Sequence, residues 1–162
     1  MKASTAKRVV LYRFDRQSLE GVVNPASYLM EQGVELLSLD GAIAMVPYPE
    51  LKALCFVSES GDPRLFGEHN LFERRPRVPG LWTRFSFLDG DQLDGILPHN
   101  LLEWPSQGYV VTPPHSTPLR QRVFIPRPAL KRTELRGVVG VSPLGKRPAR
   151  RTEIPGQLGM FD

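Results

Sequence analysis

The chain has 162 residues, of which 41% are apolar and 23% are charged, so it can bury a core and is not expected to be disordered as a whole. Its 14 glycines and 16 prolines follow no collagen-like period, and they indicate many turns and few long helices. The single cysteine, Cys55, excludes a disulfide within the chain, and the formal charge of +4 is compatible with a nucleic-acid partner without requiring one.

The N-terminal segment is basic but lacks the features of a signal peptide. Arg13 interrupts its apolar run, and no cleavage-like site follows. No stretch of the sequence approaches the ~20 apolar residues that a membrane-spanning helix needs. These observations, with the single cysteine, predict a soluble cytoplasmic protein that has no membrane partner.

The main feature of the sequence is an internal repeat. Residues 18–23 (SLEGVV) are matched 74 positions later by residues 92–97 (QLDGIL). Further along, the pattern apolar-Pro-x-Pro-x-Leu-Lys occurs at residues 46–52 and again 79 positions later at residues 125–131. The larger second spacing indicates about five extra residues in the second copy, and the proline-rich stretch 112–118 is the natural place for them.

Each copy is predicted to fold into five short strands, because apolar residues alternate along short runs that turn signals separate. In the first copy, residues 15–17 form a turn, residues 24–27 break the second strand, and Asp40-Gly41 is a strong hairpin signal. Cys55 is expected to be a buried strand residue rather than a nucleophile, since no neighbouring basic group in the sequence would lower its pKa. The five predicted strands are residues 9–14, 18–23, 34–39, 42–46 and 51–57.

The second copy repeats this arrangement, with a hairpin turn at Asp89-Gly90. Between the copies, two structures are open: a short helix that starts at Asp62-Pro63, or an irregular segment that packs its phenylalanines against the fold. The predicted strands of the second copy are residues 81–88, 92–97, 108–112, 119–125 and 131–139. The predicted organisation is a first unit, a linker, a second unit and a basic, Pro- and Gly-rich disordered tail, at residues 1–60, 61–79, 80–140 and 141–162.

The repeated unit resembles the Sm-like fold, and within it the bacterial Hfq branch. A residue without Cβ allows the sharp bend that a strand of a tiny barrel needs, and barrel closure removes exposed strand edges. The fold class is therefore predicted as mainly β, with two tandem five-stranded Sm-like small barrels and a disordered C-terminal tail. The matching residues are Leu19, Glu20 and Gly21 in the first copy and Leu93, Asp94 and Gly95 in the second.

The resemblance implies non-catalytic nucleic-acid binding, with RNA as the expected partner. Hfq has a Tyr-Lys-His turn between its last two strands that helps to bind RNA, whereas this sequence has the Pro-x-Pro-x-Leu-Lys segments at that place. Their aromatic and cationic groups could stack a base and hold phosphates, and the candidates are Tyr48, Lys52, Arg127 and Lys131. The alternative is structural: the prolines set a tight connection and the lysines are solvated.

The helix that usually precedes the first strand of such a unit is missing from the first copy. Ring assembly and uridine recognition therefore do not follow from the resemblance, and a homo-oligomer stays an open alternative.

Catalysis has little support in the sequence. The three histidines, His69, His99 and His115, have no metal-ligand spacing, and neither a glycine-rich phosphate loop nor a Gly-x-Ser-x-Gly elbow occurs. We therefore expect no enzymatic activity, no metal and no cofactor. Trp82 and Trp104 are expected to be packing residues rather than stacking platforms.

The last residues of the chain suggest a second function. Gln157, Leu158, Met160 and Phe161 resemble the peptide with which bacterial replication and repair proteins dock on the β sliding clamp. Two adjacent apolar anchors on an extended tail suit a hydrophobic groove on a partner. This predicts a protein-interaction adaptor recruited to the sliding clamp. The alternatives are a tail that folds back on a barrel, and a purely structural or regulatory module.

Overall fold

The computed structural model describes residues 6–117 and 120–140 and is built from antiparallel strands. All ten predicted strands are present within three residues of their expected bounds, and no α-helix occurs in the described part of the chain. The strands are β1 (Lys7–Arg13), β2 (Ser18–Val23), β3 (Gly33–Ser38), β4 (Ile43–Pro47), β5 (Leu51–Phe56), β6 (Gly80–Phe87), β7 (Gln92–Leu97), β8 (Gly108–Val111), β9 (Arg122–Pro126) and β10 (Leu130–Val139). Three 3₁₀ turns accompany them: η1 (Tyr48–Glu50), η2 (Leu101–Glu103) and η3 (Arg127–Ala129).

The strands form two sheets that do not follow the boundary between the copies. A seven-stranded sheet has the order β4-β3-β2-β1-β5-β9-β8, and a three-stranded sheet has the order β10-β6-β7. The described strands form no closed barrel, so the two separate barrels expected from the sequence are not seen. Instead β5 of the first copy pairs with β9 of the second, which gives both strands backbone partners on an edge that would otherwise be open.

The sequence repeat is nevertheless a repeat of strand pairing. The pair Lys7↔Val23 in β1–β2 corresponds to Leu81↔Leu97 in β6–β7, and the register is kept along the whole hairpin. The first irregularity also matches, because β1–β5 and β6–β10 each have a register shift at the start of the last strand, although β10 has a further shift between Leu135 and Gly137. In both cases the residue passed over by the pairing is the lysine of the Pro-x-Pro-x-Leu-Lys segment, Lys52 or Lys131.

The second copy therefore has the strand order β9-β8-β7-β6-β10, which corresponds strand by strand to β4-β3-β2-β1-β5 in the first. The pairing between β7 and β8 is shorter than the pairing between their counterparts β2 and β3. Strands β7 and β8 meet only at the bridge Ile96↔Thr112, where two backbone hydrogen bonds of 2.9 and 3.1 Å join these residues. This short link is why the second copy is divided between the two sheets.

The glycine of each Leu-acidic-Gly motif lies where two strands approach closely. A Cβ on Gly21 would stand 2.4 Å from the Leu37 carbonyl oxygen, and a Cβ on Gly95 would stand 2.5 Å from Cγ2 of Val111. No other residue fits at these distances. The repeated glycine thus has a packing reason in both copies.

The predicted turns are confirmed. Gly41 and Gly90 have φ angles of +90° and +96°, which a residue without Cβ adopts readily. Between the copies the chain is irregular, so of the two open structures the helix is not formed. Asp62 accepts a hydrogen bond from the Arg64 backbone at 2.8 Å, and the segment then packs Leu65 into the core.

The buried side chains form two apolar clusters that both draw on the two copies. Cys55 and Leu65 pack with Phe85 and Phe87 of the second copy in one cluster. In the other, Phe124 of β9 packs among side chains of the first copy. Across the described residues, no helix is long and apolar enough to cross a membrane.

Candidate functional site

Tyr48 lies inside the fold, in the 3₁₀ turn η1. Only 8% of its surface is exposed, its hydroxyl donates to the Met30 carbonyl at 2.5 Å, and its ring lies 6.4 Å from that of Phe124. Pro47 precedes the turn and Pro49 lies within it, and both restrict its backbone, as the structural alternative for this segment proposed. In this conformation the ring has no free face on which a base could stack.

Lys52 is also buried, with 6% of its surface exposed. Its ammonium group donates to Asp89 at 2.6 Å and to Asp91, and it lies 4.1 Å from the centre of the Phe66 ring. Partial burial acts to raise the pKa of Asp89, but the hydrogen bond and the charge of Lys52 lower it overall. Lys52 therefore connects the first copy to the β6–β7 turn of the second, and its charge is already matched within the chain.

Arg127 and Lys131 are exposed. The Arg127 guanidinium donates to the Ser106 carbonyl at 3.1 Å and packs 5.0 Å from the centre of the Tyr109 ring. The structure thus separates the four predicted nucleic-acid residues into a buried pair and an exposed pair, and it does not bring them together as one site.

A cleft of about 890 Å³ opens where the two copies meet. Its walls come from the start of β1, the β2–β3 loop, the end of β5, the segment just before β6, the end of β7 with the β7–β8 loop, and the strands β8 and β9. We name it the junction cleft. Its aromatic and charged lining residues are Lys7, Tyr28, Phe56, Glu103, Trp104 and Arg122.

The aromatic side chains of the junction cleft are held in place by contacts inside the chain. The rings of Tyr28 and Phe56 meet edge to face at 5.6 Å, and the Trp104 indole N–H donates to the Pro98 carbonyl at 3.0 Å. Burial raises the pKa of Tyr28 to about 12, although the nearby Arg122 charge opposes the shift. Tyr28 is therefore neutral at physiological pH, and the cleft offers fixed apolar surfaces.

Charge at the junction cleft is mildly positive. Lys7 and Arg122 are exposed cations on its lining, and Glu103 is the one acidic lining residue. Sequence reasoning missed this site, because its residues come from seven segments that only the tertiary fold brings together. The one local signal was Trp104 in a proline-rich loop, which was expected to be only a packing residue.

Arg120 forms the most extensive side-chain network of the described residues, but it points inward. Its guanidinium donates to six backbone carbonyls at distances from 2.9 to 3.4 Å, and 6% of the residue is exposed. Burial lowers its pKa, since the charged form is desolvated. The six acceptors are the carbonyls of Pro63, Arg64, Leu65, Glu68, His69 and Pro114. Arg120 is therefore a structural clamp on the segment between the copies.

The cysteine and two of the histidines are groups with nucleophilic or metal-binding chemistry in the described part of the chain. Burial raises the pKa of the Cys55 thiol to about 12, so the thiol is not an activated nucleophile. The rings of His69 and His115 lie 4.1 Å apart, a proximity that the sequence spacing did not indicate. No cluster of three or more metal-binding side chains occurs in residues 6–117 or 120–140.

The predicted clamp-binding residues Gln157, Leu158, Met160 and Phe161, with the rest of the 141–162 tail, lie outside the described residues. The resemblance of this segment to a sliding-clamp peptide stays a prediction from the sequence.

Comparison with known proteins gives one relationship. The comparisons with curated proteins and with solved structures found no match. Residues 5–137 match a family of unknown function (DUF6982), and this range includes all the strands except the last residues of β10. The chain belongs to this family of unknown function.

Proposed function

We propose that the protein is a non-catalytic binding protein for single-stranded nucleic acid, with RNA as the expected ligand, and that the junction cleft is its binding site. The observation that carries the proposal is the combination of two half-buried rings, Phe56 and Trp104, with two exposed cations in one cleft; Tyr28 is buried beneath them and does not count as a stacking surface. Aromatic side chains stack on bases of any sequence, and lysine and arginine hold the phosphates between them.

The dimensions and charges of the surface fit an extended strand. A cleft of about 890 Å³ is large enough for more than one nucleotide, and Lys7 and Arg122 lie on its lining. Arg127 lies beyond the far end of β9, roughly 16 Å from Arg122 at the rise of an extended chain. Arg127 is therefore a third exposed cation for a strand that extends beyond the cleft.

The Sm-like relationship is part of the proposal. It is supported by five strands in each copy, paired in the same register, and by a glycine in each Leu-acidic-Gly motif that no larger residue can replace. The proposed binding residues nevertheless differ from those expected from the resemblance, because Tyr48 and Lys52 are buried.

The test is fluorescence anisotropy with labelled single-stranded RNA and DNA, at low and moderate salt. The variant Lys7→Gln with Arg122→Gln should bind at least tenfold more weakly, and the slope of log affinity against log salt should fall by roughly 1.4 for two lost phosphate contacts. Arg16→Gln with Arg77→Gln removes the same charge from exposed positions that do not line the cleft, and it should bind as the wild type does. Equal losses in both variants would show general attraction rather than a site.

Two further variants separate the components of binding. Trp104→Leu keeps an apolar side chain but removes the stacking surface, so affinity should fall while the salt slope stays the same. Replacing the four basic tail residues Lys146, Arg147, Arg150 and Arg151 with Gln tests whether the tail alone binds. If only this variant loses binding, the junction cleft is not the site.

A further inference from the structure

The two copies are joined in a way that leaves two matching strand edges open. Within the chain, β5 pairs with β9 through Leu54↔Phe124, Cys55↔Val123 and Phe56↔Arg122. The repeat makes β10 the counterpart of β5, and it makes β4 the counterpart of β9. Among the described strands, β4 and β10 each have a strand partner on one side only, whereas the other two sheet edges, β7 and β8, are linked at the bridge Ile96↔Thr112.

These two edges carry much of the exposed apolar surface of the described chain. Ile43 on β4 is 73% exposed and Leu135 on β10 is 59% exposed, and Met45 and Val138 on the same strands are also exposed. By contrast, five of the six residues of β5 are buried and so are four of the five residues of β9. The side chains of β5 and β9 are buried in the two apolar clusters, whereas these side chains of β4 and β10 face solvent.

We propose that β10 of one chain pairs antiparallel with β4 of a second copy of the same chain, in the register of the β5–β9 junction. Shifting that register by 79 positions gives the contacts Thr133↔Met45, Glu134↔Ala44 and Leu135↔Ile43 between chains. The most exposed apolar residues of the two strands, Leu135 and Ile43, are then direct cross-strand partners.

The charged contact at the internal junction also has a counterpart. Lys52 reaches Asp89 in the β6–β7 turn, and the repeat places Lys131 opposite Asp15 in the β1–β2 turn of the second copy. Lys131 and Asp15 are both exposed in the single chain. Arg13 stands where Phe87 stands at the internal junction, and its ion pair with Glu50 at 3.6 Å offsets its charge.

The contact joins two different edges, so it is heterologous. Each chain has one β4 edge and one β10 edge, and association therefore continues until a ring closes or an open assembly forms. Arg75 donates to the Val138 carbonyl, which lies beyond the proposed pairs and leaves Thr133–Leu135 uncovered. The inference is independent of nucleic-acid binding, because it uses other strands and other residues.

The decisive test is oxidative cross-linking of the full-length chain. Direct cross-strand partners have Cα atoms about 4.5–5.5 Å apart, within the range of a disulfide. An equimolar mixture of Ile43→Cys and Leu135→Cys should give a covalent dimer, whereas each variant alone should not. Cys55 is buried and is present in every sample. A dimer from one variant alone would show a two-fold symmetric contact and overturn the proposal.

A matched control and a mass measurement complete the test. Leu102 is 93% exposed and lies on η2, away from both edges, so Leu102→Cys mixed with Ile43→Cys should not cross-link. By light scattering on full-length protein, the wild type and Leu102→Lys should exceed the monomer mass of 18.2 kDa, and Ile43→Lys or Leu135→Lys should return to it. A wild-type chain that stays monomeric at all concentrations, or a mixture that does not cross-link, would overturn the proposal.

Discussion

Replacing Arg120 with methionine should destabilise the protein much more than the same exchange at an exposed arginine of the segment between the copies. Methionine keeps much of the length of the side chain but donates no hydrogen bond. Arg120 donates to six backbone carbonyls, five of them between residues 63 and 69, and none of the six acceptors is a carboxylate. The substitution therefore removes the donors without leaving a buried negative charge behind.

The size of the effect follows from two opposing terms. Hydrogen bonds from a charged donor contribute about 1.5 kcal/mol each at the low end of their range, so the five N–H groups of the guanidinium, one of them shared between two carbonyls, give roughly 7.5 kcal/mol. Burial of the guanidinium costs several kcal/mol, in line with the lowered pKa of Arg120. The net loss on substitution is then about 4 kcal/mol, which corresponds to a fall in melting temperature of roughly 10 °C for a chain of this size.

The assay is urea unfolding followed by circular dichroism, with Arg77→Met as the matched control. Arg77 lies in the same segment between the copies but is exposed, so its substitution should change the free energy of unfolding by less than about 0.5 kcal/mol. Arg120→Lys keeps the charge with fewer donors and should fall between the two. Equal stabilities of Arg120→Met and Arg77→Met would refute the clamp assigned to Arg120.

Three other predictions concern the buried charges and the tail. Asp94→Ala should lower stability by about 3 kcal/mol in urea unfolding, because the fully buried carboxylate accepts hydrogen bonds from Arg84, the Trp82 indole and a backbone N–H; an effect under 1 kcal/mol would contradict this. The pKa of Asp89 is lowered in the folded chain, so its contribution to stability is fully present above the unfolded pKa of about 3.9 and is lost as pH falls through the folded pKa. Lys52→Met should weaken this dependence of the free energy of unfolding on acid pH. An unchanged pH profile of that free energy would argue against the ion pair. A labelled peptide of the last twelve residues should bind a bacterial sliding clamp in an anisotropy titration, and alanine at its two adjacent apolar anchors should abolish binding; no affinity of the unchanged peptide would end the adaptor hypothesis.

Local features of the fold could be predicted because they depend on neighbours in the sequence. Alternating apolar residues gave the strands, the Asp-Gly pairs gave two of the turns, and the repeated spacings gave the two copies and their extra residues. Burial of Cys55 also followed from its apolar run. The repeat even carries the position of the irregular residue in each last strand, Lys52 and Lys131, because the same segment makes the same turn.

The arrangement between the copies was decided only by the tertiary structure. Nothing local distinguishes Lys52, buried against Asp89, from Lys131 at the same position of the repeat, which is exposed. The difference arises because β5 meets β9 within the chain, whereas β10 is an edge. The junction cleft and the carbonyls around Arg120 likewise depend on residues far apart in sequence. The sequence by itself determined the strands and their repetition, and the pairing of distant edges decided which side chains are left to bind a partner.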